Sequence, residues 1–334
     1  MHYKRLLTLI DSVSSYLSVG LDVGADFTWM SIALPNGSFI GKPFKIVHSD
    51  PGSRDLAVAK IKEAQETYSL KSRCFLESTG IYHIPLLCFL RDKGFDCSVI
   101  NPIITKNSTN INIRKLHNDK FDSKKAALVG LNVSLKTSIL PDDSVVDLRN
   151  LVRDYYYFKD LQSAVALKLT AELKVSFPAY AKTFSKVTTQ SSLKLLSSYP
   201  LPADMLAASK EDIVDIIRST ARFGEAYALR KYDAIIAAAQ DAAVFGRALP
   251  SNAVRIRLYI DTYQEYQKHL DALLKALHET VEKLQDTLIY DQICLLQSLR
   301  GIGFLSAVVL IAEMGNFKLF SSPKKLYAYF GLDP

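Results

Sequence analysis

Apolar runs of strand length alternate with helix-length stretches over the first third of the chain. Asn36-Gly37 lies between two such runs and is typical of a tight hairpin turn, because both residues tolerate positive φ angles. The pattern predicts strands over residues 18–24, 28–34, 39–47, 73–78 and 95–100, and helices over residues 53–68 and 84–93. A further helix begins near residue 119. This order indicates a mixed α/β domain over residues 16–135.

Two long helical patterns follow. Residues 145–177 have helical spacing and are followed by Pro178, and residues 256–288 carry seam residues spaced alternately four and three apart, which predicts a coiled coil. The seam residues are Ile256, Ile260, Tyr263, Gln267, Leu270, Leu274, Leu277, Val281, Leu284 and Leu288. Its partner is the helix at 145–177, a second subunit, or both, and the polar Gln267 can fix the register.

These patterns divide the chain into four parts: an N-terminal leader or helix over residues 1–15, the α/β domain over 16–135, a helical, coiled-coil linker and assembly region over 145–290, and the start of a C-terminal domain over 291–334. The run at residues 6–19 is fairly apolar, so a signal peptide is the alternative to a short helix or leader. Asp11 and several serines interrupt that run, which favours the helix or leader. No segment is apolar enough to span a membrane, so we expect a cytoplasmic protein without a membrane partner.

Composition adds a mild preference for a polyanionic partner. The 334 residues carry a net charge of +7, with a pI of about 9.0, and 49% of them are apolar, which argues against global disorder. The four cysteines lack the CxxC spacing of zinc sites, and no disulfide framework is indicated. We expect them to be reduced, buried thiols.

Four acidic residues are the candidate chemistry. Asp119 and Asp122 are three residues apart at the start of a predicted helix and would share one face. Asp22 lies in the first predicted strand and Glu77 near the end of the fourth, both among apolar residues where a carboxylate is costly unless it binds something. Taken singly, each acid has an ordinary structural explanation, such as a helix cap, a turn or a salt bridge. Together they suggest ligands for Mg²⁺ or Mn²⁺.

Basic residues surround the Asp119–Asp122 pair and predict phosphate contacts. From residue 106 to 125 there are six Lys or Arg against two Asp. The candidate nucleic-acid-binding residues here are Arg114, Lys115, Lys120, Lys124 and Lys125. A solvated basic helix face is the simpler alternative.

Two later stretches also carry nucleic-acid candidates. Arg149 and Arg153 precede the aromatic run at residues 155–158, whose rings either stack on bases or form the packing face of the helix. Near the C-terminus, Arg300, Gly301 and Gly303 form a turn before a predicted helix, whose N-terminal amides can bind phosphate. A tight helical turn without a ligand is the alternative.

Several motifs together resemble one protein family. The order Asp, Glu, Asp-x-x-Asp is similar to the RuvC-like branch of the RNase H fold. The segments Gly20-Leu-Asp-Val, Leu76-Glu-Ser-Thr-Gly-Ile-Tyr82, Val99-Ile-Asn-Pro102 and Arg114–Ser123 resemble the DEDD transposases of the insertion-sequence one-ten family, and the related pilin-gene DNA invertases. Glu313–Phe317 and Lys324–Pro334 resemble the second conserved block of that family.

This resemblance implies an α/β RNase H-like, RuvC-like N-terminal domain, a mainly helical region with a coiled coil, and a C-terminal domain containing a helix-hairpin-helix. It implies that Asp22, Glu77, Asp119 and Asp122 bind a divalent metal. It also implies donor and target DNA, a structured guide RNA, and a homo-oligomer, either a dimer or a tetramer. The family's serine nucleophile follows a segment like Gly331–Pro334, so we expect it beyond Pro334, where this sequence stops.

Two other functions compete with a transposase or site-specific recombinase. One is a two-metal, structure-specific DNA nuclease of the RuvC type, in which water is the nucleophile. The other is a non-catalytic nucleic-acid-binding protein whose acids are structural.

Overall fold

The computed structural model describes residues 15–77, 81–100, 119–131, 143–220, 224–315, 317 and 320–332. The chain divides into two compact units, residues 1–140 and 141–334. Of the predicted N-terminal leader, only Ser15 is among the described residues. Arg114, Lys115 and Pro334 also lie outside them. The proposed division of the second unit near residue 290 stays a prediction.

A five-stranded mixed sheet forms the centre of the first unit, in the order β3-β2-β1-β4-β5. Strands β1 to β3 form an antiparallel meander, and β1, β4 and β5 are parallel. The strands are β1 (Tyr16–Val23), β2 (Phe27–Ala33), β3 (Phe39–Val47), β4 (Lys71–Glu77) and β5 (Asp96–Ile100), and the helices are α1 (Pro51–Tyr68), α2 (His83–Asp92) and α3 (Asp119–Gly130). This sheet confirms the predicted α/β class and fits an RNase H-like domain.

The two faces of this sheet are covered differently, because successive strand residues point to opposite sides. Leu17, Val19 and Leu21 of β1 belong to the main core, together with residues of α1 and α2 such as Ile61 and Leu90. The alternate residues of β1 face α3 instead. There the Ser18 hydroxyl donates to the Ala127 carbonyl oxygen at 2.6 Å.

The second unit is helical. Its α-helices are α4 (Asp143–Ser176), α5 (Gln190–Ser198), α6 (Pro202–Ala207), α7 (Lys210–Thr220), α8 (Glu225–Phe245), α9 (Pro250–Glu282), α10 (Leu288–Gln297), α11 (Phe304–Met314) and α12 (Pro323–Tyr329). A short 3-10 helix, Tyr180–Lys182, follows α4. None of the helices in the described part of the chain is both long and apolar enough to cross a membrane.

Helices α4 and α9 pack along each other in antiparallel orientation. The start of α4 shares a core with the end of α9, through Leu148 and Leu277, and the end of α4 shares another core with the start of α9, through Leu173 and Ile256. Between these cores the buried Gln162 donates from Nε2 to Oε1 of Gln267 at 3.0 Å. One partner of the predicted seam is therefore the helix within the same chain, while the coiled-coil assignment itself stays a prediction.

The prediction that the seam runs to Leu288 in one helix is wrong. Helix α9 ends at Glu282, and Leu288 is 46% exposed at the start of α10. The turn between them includes Asp286, whose φ of 64° lies in the left-handed region and cannot continue an α-helix. Leu284 is buried in that turn and joins the core that also holds Leu148 and Leu277, so its burial does not require a longer helix.

The cysteines are only partly as predicted. Cys74 and Cys97 are buried partners in the register of β4 and β5, with no disulfide between them. Cys88 and Cys294 are exposed free thiols, so the prediction that all four are buried is wrong.

Candidate acidic site at the end of the sheet

Asp22 and Glu77 lie on neighbouring parallel strands at the same end of the sheet. Leu21 pairs with Leu76, and Asp22 and Glu77 are the next residue of each strand. Both acids are partly buried. Because carboxyl ends of parallel strands meet at one edge, this register places the two acids side by side.

Helix α3 covers the face of the sheet toward which these acids point. A Cβ added to Gly20 would lie 2.1 Å from the Ala127 nitrogen, and one added to Gly130 would lie 2.3 Å from the Phe75 ring. Gly20 and Phe75 precede Asp22 and Glu77 by two positions, so all four residues share this face. A side chain at Gly20 would collide with the backbone of α3, and this close approach requires glycine.

The direction of α3 brings its first turn to the acidic edge. Ser123 and Ala127 meet β1 at Gly20, whereas Gly130, at the end of α3, accepts a hydrogen bond from the Tyr16 hydroxyl at the start of β1. The helix therefore runs antiparallel to β1. Its first residue, Asp119, begins at the end of the sheet where Asp22 and Glu77 lie.

Asp122 is partly buried and forms an ion pair. Its Oδ1 accepts from Nζ of Lys125 at 2.7 Å, with about equal exposure of the two side chains, 30% and 31%. The Asp119 side chain is outside the described part of the structure. Among the described residues, no group of three or more His, Cys, Asp or Glu is arranged to hold a metal ion. The four-acid metal site therefore stays a prediction.

The lysines of α3 lie against aromatic rings. Nζ of Lys120 is 4.7 Å from the centre of the Trp29 ring, and Nζ of Lys124 is 5.0 Å from the centre of the Phe39 ring. Lys125 lies 5.1 Å over Phe121 in addition to its ion pair. Sequence reasoning singled out the lysines but not these rings. The position of Trp29 beside the acids follows from the hairpin register, which pairs Trp29 with Asp22, and the sequence pattern alone does not give that register.

The candidate arginines of α4 are bound within the second unit. Nε of Arg149 donates to the Ala312 carbonyl oxygen at 2.7 Å, near the end of α11. Arg153 donates through Nε and Nη2 to both carboxylate oxygens of Glu313, each at 2.9 Å. The hydrogen bond from Arg153 lowers the pKa of Glu313, and the nearby Arg149 lowers it further. A nucleic-acid role for either arginine stays a prediction and would compete with these bonds.

The aromatic run of α4 is divided between packing and solvent. Phe158 packs against Tyr266 and His269 of α9, with ring centres 6.0 and 5.1 Å away. Tyr156 and Tyr157 are 45% and 60% exposed. Packing therefore accounts for Phe158, while stacking of the exposed tyrosines on bases stays a prediction.

The C-terminal glycine turn joins two helices. Gly301 has a φ of 96°, which favours glycine, and Gly303 is the N-cap of α11. Arg300 is exposed. Two helices joined by a tight turn are compatible with the predicted helix-hairpin-helix, which stays a prediction. Phosphate binding by Arg300, Gly301 and Gly303 also stays a prediction.

Comparison with known protein families agrees with the resemblance of the motifs. A family model described as DEDD_Tnp_IS110, Transposase, matches residues 19–178. A second, described as Transposase IS116/IS110/IS902 family, matches residues 294–334. None of the curated proteins compared with the chain matches it. Both models describe transposases of the IS110 type, one near the start of this chain and the other over its last residues. The chain belongs to the IS110 family of transposases.

Proposed function

We propose that this chain is a DNA recombinase whose acidic site lies where β1 and β4 end and α3 begins. The observation that carries the proposal is the register of Asp22 and Glu77, with the first turn of α3 directed to the same edge. Membership of a transposase family makes DNA the expected substrate.

The residues at this edge fit a divalent metal by their chemistry. Asp22, Glu77, Asp119 and Asp122 offer hard carboxylate oxygens, which Mg²⁺ and Mn²⁺ prefer over nitrogen or sulfur ligands. When bound, such an ion would supply charge stabilisation to a DNA phosphate. The ion pair with Lys125 partly neutralises the Asp122 carboxylate and so reduces its repulsion with the other acids.

The chain's own cations hold and orient the DNA in this proposal. Lys120, Lys124 and Lys125 follow the acids along α3 and contact phosphates, which gives affinity without sequence specificity. Arg114 and Lys115 precede these lysines in the sequence and are further candidates for DNA binding. Arg149, Arg153, Arg300 and the Gly301–Gly303 turn are the corresponding candidates in the second unit.

Three further parts of the proposal rest on the family resemblance. A serine beyond Pro334 attacks a DNA phosphodiester, so that a serine–phosphate bond replaces one phosphate–deoxyribose bond, and the displaced deoxyribose oxygen takes up a proton and leaves as a free hydroxyl end. A structured guide RNA selects the DNA sites, and a homo-oligomer completes the acidic site. The alternative is a two-metal nuclease, in which the same acids activate water. A non-catalytic binding protein would leave the acids without a chemical role.

Amide substitutions at the acids test the metal site. We expect Asp22→Asn, Glu77→Gln, Asp119→Asn and Asp122→Asn each to weaken Mn²⁺ binding measured by calorimetry, while DNA binding and the melting curve stay close to wild type. Glu63→Gln is the matched control, because Glu63 is exposed on α1. Two acid variants with wild-type Mn²⁺ affinity would show that the site is wrong.

A denaturing gel of labelled DNA separates the three functions. On a chain that carries the residues expected beyond Pro334, with guide RNA and Mg²⁺ present, a protein-linked DNA band supports the recombinase. Free hydrolysed ends support the nuclease. DNA that stays intact and unlinked on this gel, although a native gel shows that it binds equally with and without metal, supports the non-catalytic protein.

A further inference from the structure

Three neighbouring strands place a tryptophan and a lysine beside the acidic edge. In the antiparallel register, Asp22 of β1 pairs with Trp29 of β2, and Trp29 pairs with Lys45 of β3. Directly opposed residues of antiparallel strands point to the same face. That face is the one covered by α3, since Ser31, two positions after Trp29, forms a hydrogen bond with Ser123 of α3.

Two lysines at this position lie over aromatic rings. Nζ of Lys45 is 4.0 Å from the centre of the Phe27 ring, and Nζ of Lys120 is 4.7 Å from the centre of the Trp29 ring. Both lysines are exposed, whereas both rings are partly buried. A cation–π contact restrains the lysine side chain through the ring face, and each of these lysines stays exposed to solvent, where a phosphate can reach it.

We propose that Lys45 and Lys120, the second held in place by Trp29, bind the phosphodiester backbone of the DNA strand that leads into the acidic site. The inference rests on the proposed function, which supplies the reason for a DNA strand at this edge. Lys45 and Lys120 contact successive phosphates, and Trp29 is a positioning residue that holds the Lys120 ammonium beside Asp22. Because the rings already restrict the lysine stems, less side-chain entropy is lost when a phosphate binds.

The charge distribution supports this assignment. The strand pairing sets one carboxylate next to one ring, with a lysine on the following strand, so charge changes from negative to positive across β1, β2 and β3. A DNA strand that passed along this edge of the sheet would meet the lysine on the β3 side first and the carboxylate of β1 afterwards. The acids are the place where metal neutralises the phosphate in the proposed function.

The single tryptophan of the chain makes the site directly observable. Trp29 is the only tryptophan in 334 residues, so intrinsic emission excited at the indole band reports this site alone. We expect oligo(dT) to change the emission saturably, with a midpoint that matches binding measured by filter retention. Retention of oligo(dT) with unchanged Trp29 emission would overturn the proposal, as would an emission change given by oligo(U) and not by oligo(dT).

Variants that remove the lysine charges test the two lysines. For Lys45→Gln with Lys120→Gln, we expect the slope of log affinity against log salt concentration to become shallower by about 1.4, since each lost single-strand phosphate contact removes about 0.7. Lys42→Gln is the control, because Lys42 is on the same strand but lines a cavity with Met30 and Ile32 on the other face. A wild-type slope in the double variant, or an equal change in the control, would overturn the proposal.

Variants that keep or remove the aromatic ring at position 29 test the role of Trp29. Trp29→Phe keeps a ring under Lys120 and should keep most of the affinity, whereas Trp29→Leu should lose affinity without a change in melting temperature. Equal affinities for these two variants would exclude positioning by the ring. The Mn²⁺ calorimetry described above is independent of these measurements, so normal metal binding with failed lysine variants rejects this inference alone, and failed metal binding rejects the proposed function.

Discussion

The cations of α3 and those of α4 differ in what holds them. Lys120 and Lys124 of α3 lie over aromatic rings and are held by attraction to the ring face. Arg149 and Arg153 of α4 donate their N–H groups to the end of α11 and to Glu313. Both groups look alike in sequence, as cations on a helix near aromatic residues.

The two kinds of contact differ in whether they use the N–H donors of the cation. A ring restrains an ammonium without using its donors, whereas a carbonyl or carboxylate partner satisfies them. Arg149 also places positive charge at the C-terminal end of α11, where the helix dipole is negative. The arginines therefore contribute to folding of the second unit, whereas Lys124, which lies over the Phe39 ring, is better suited to hold a phosphate.

The largest effect should come from Gly20→Ala, which would displace α3 and every cation on it. The added Cβ would meet backbone atoms of Ala127 and Ser123 at 2.1 and 2.2 Å, so we expect a loss of roughly 3 kcal/mol or more in unfolding free energy, the upper end for overpacking. Urea denaturation measures this. Gly303→Ala is the control, because nothing lies within 4 Å of its added Cβ. Equal stability of the two variants would contradict the close approach of α3.

Arg149→Met should have the next largest effect. The variant keeps much of the side-chain volume but removes the donors to Ala312 and Glu313, so we expect a loss of roughly 1–3 kcal/mol in unfolding free energy. Arg153→Met should cost less, because the Arg153 side chain is 64% exposed against 22% for Arg149. Denaturant melts of both variants give the order. A smaller loss for Arg149→Met would show that its bonds do not support the fold.

Acid should weaken the link between Arg153 and Glu313. Its lowered pKa means that folded Glu313 loses its proton more readily than unfolded Glu313, so it contributes stability above the unfolded pKa and loses it as the pH falls through the folded value. The window therefore lies below the ordinary glutamate pKa of about 4.3. We expect the difference in melting temperature between wild type and Glu313→Gln to shrink there. A constant difference down to strong acid would contradict this assignment.

Lys124→Met should have the smallest effect on stability. The cation–π contact with Phe39 at an accessible site is worth about 0.5–1 kcal/mol, part of which the methionine side chain recovers by packing on the ring. Affinity for DNA should fall more clearly, with a shallower salt dependence. Fluorescence anisotropy of labelled DNA, compared with a thermal melt, measures both. A larger loss of stability than of affinity would remove the contrast with the arginines.

Much of the first unit was predictable because its signals are local. The five strands and the helix over 53–68 follow from apolar runs, a hairpin turn and a helical stripe, and these lie within a few residues of each other. The direction of α3 could not be predicted in this way. It depends on the missing side chain at Gly20 and the backbone that fills its place, more than 100 positions later at Ala127.

Features with distant partners or an ambiguous pattern could not be derived from the sequence. The contact of Arg149 with Ala312, 163 positions along the chain, is one of them, and the nucleic-acid role of Arg149 stays a prediction. The predicted seam extended to Leu288 because apolar spacing continues past the end of α9, where Leu284 still joins the same core as Leu277. The ring beneath Lys120 requires the register of a hairpin, which periodicity alone does not give. The roles of the four acids stay predictions.

The hydrogen bond between Gln162 and Gln267 has a consequence for the lengths of the two long helices. Gln162 is 2% exposed; its Oε1 accepts from Lys159 of the same helix, whereas its Nε2 depends on Gln267 and is satisfied only at this register. Deleting or inserting one heptad in α9 between Gln267 and Glu282 would keep the apolar stripe but force a choice. Either the amides remain paired and one core between the helices shifts, or the cores hold and a buried amide is left unsatisfied. The helices can therefore change length on one side of this pair only by matched insertions in both, and relatives of different size are expected to differ there by whole heptads in each helix.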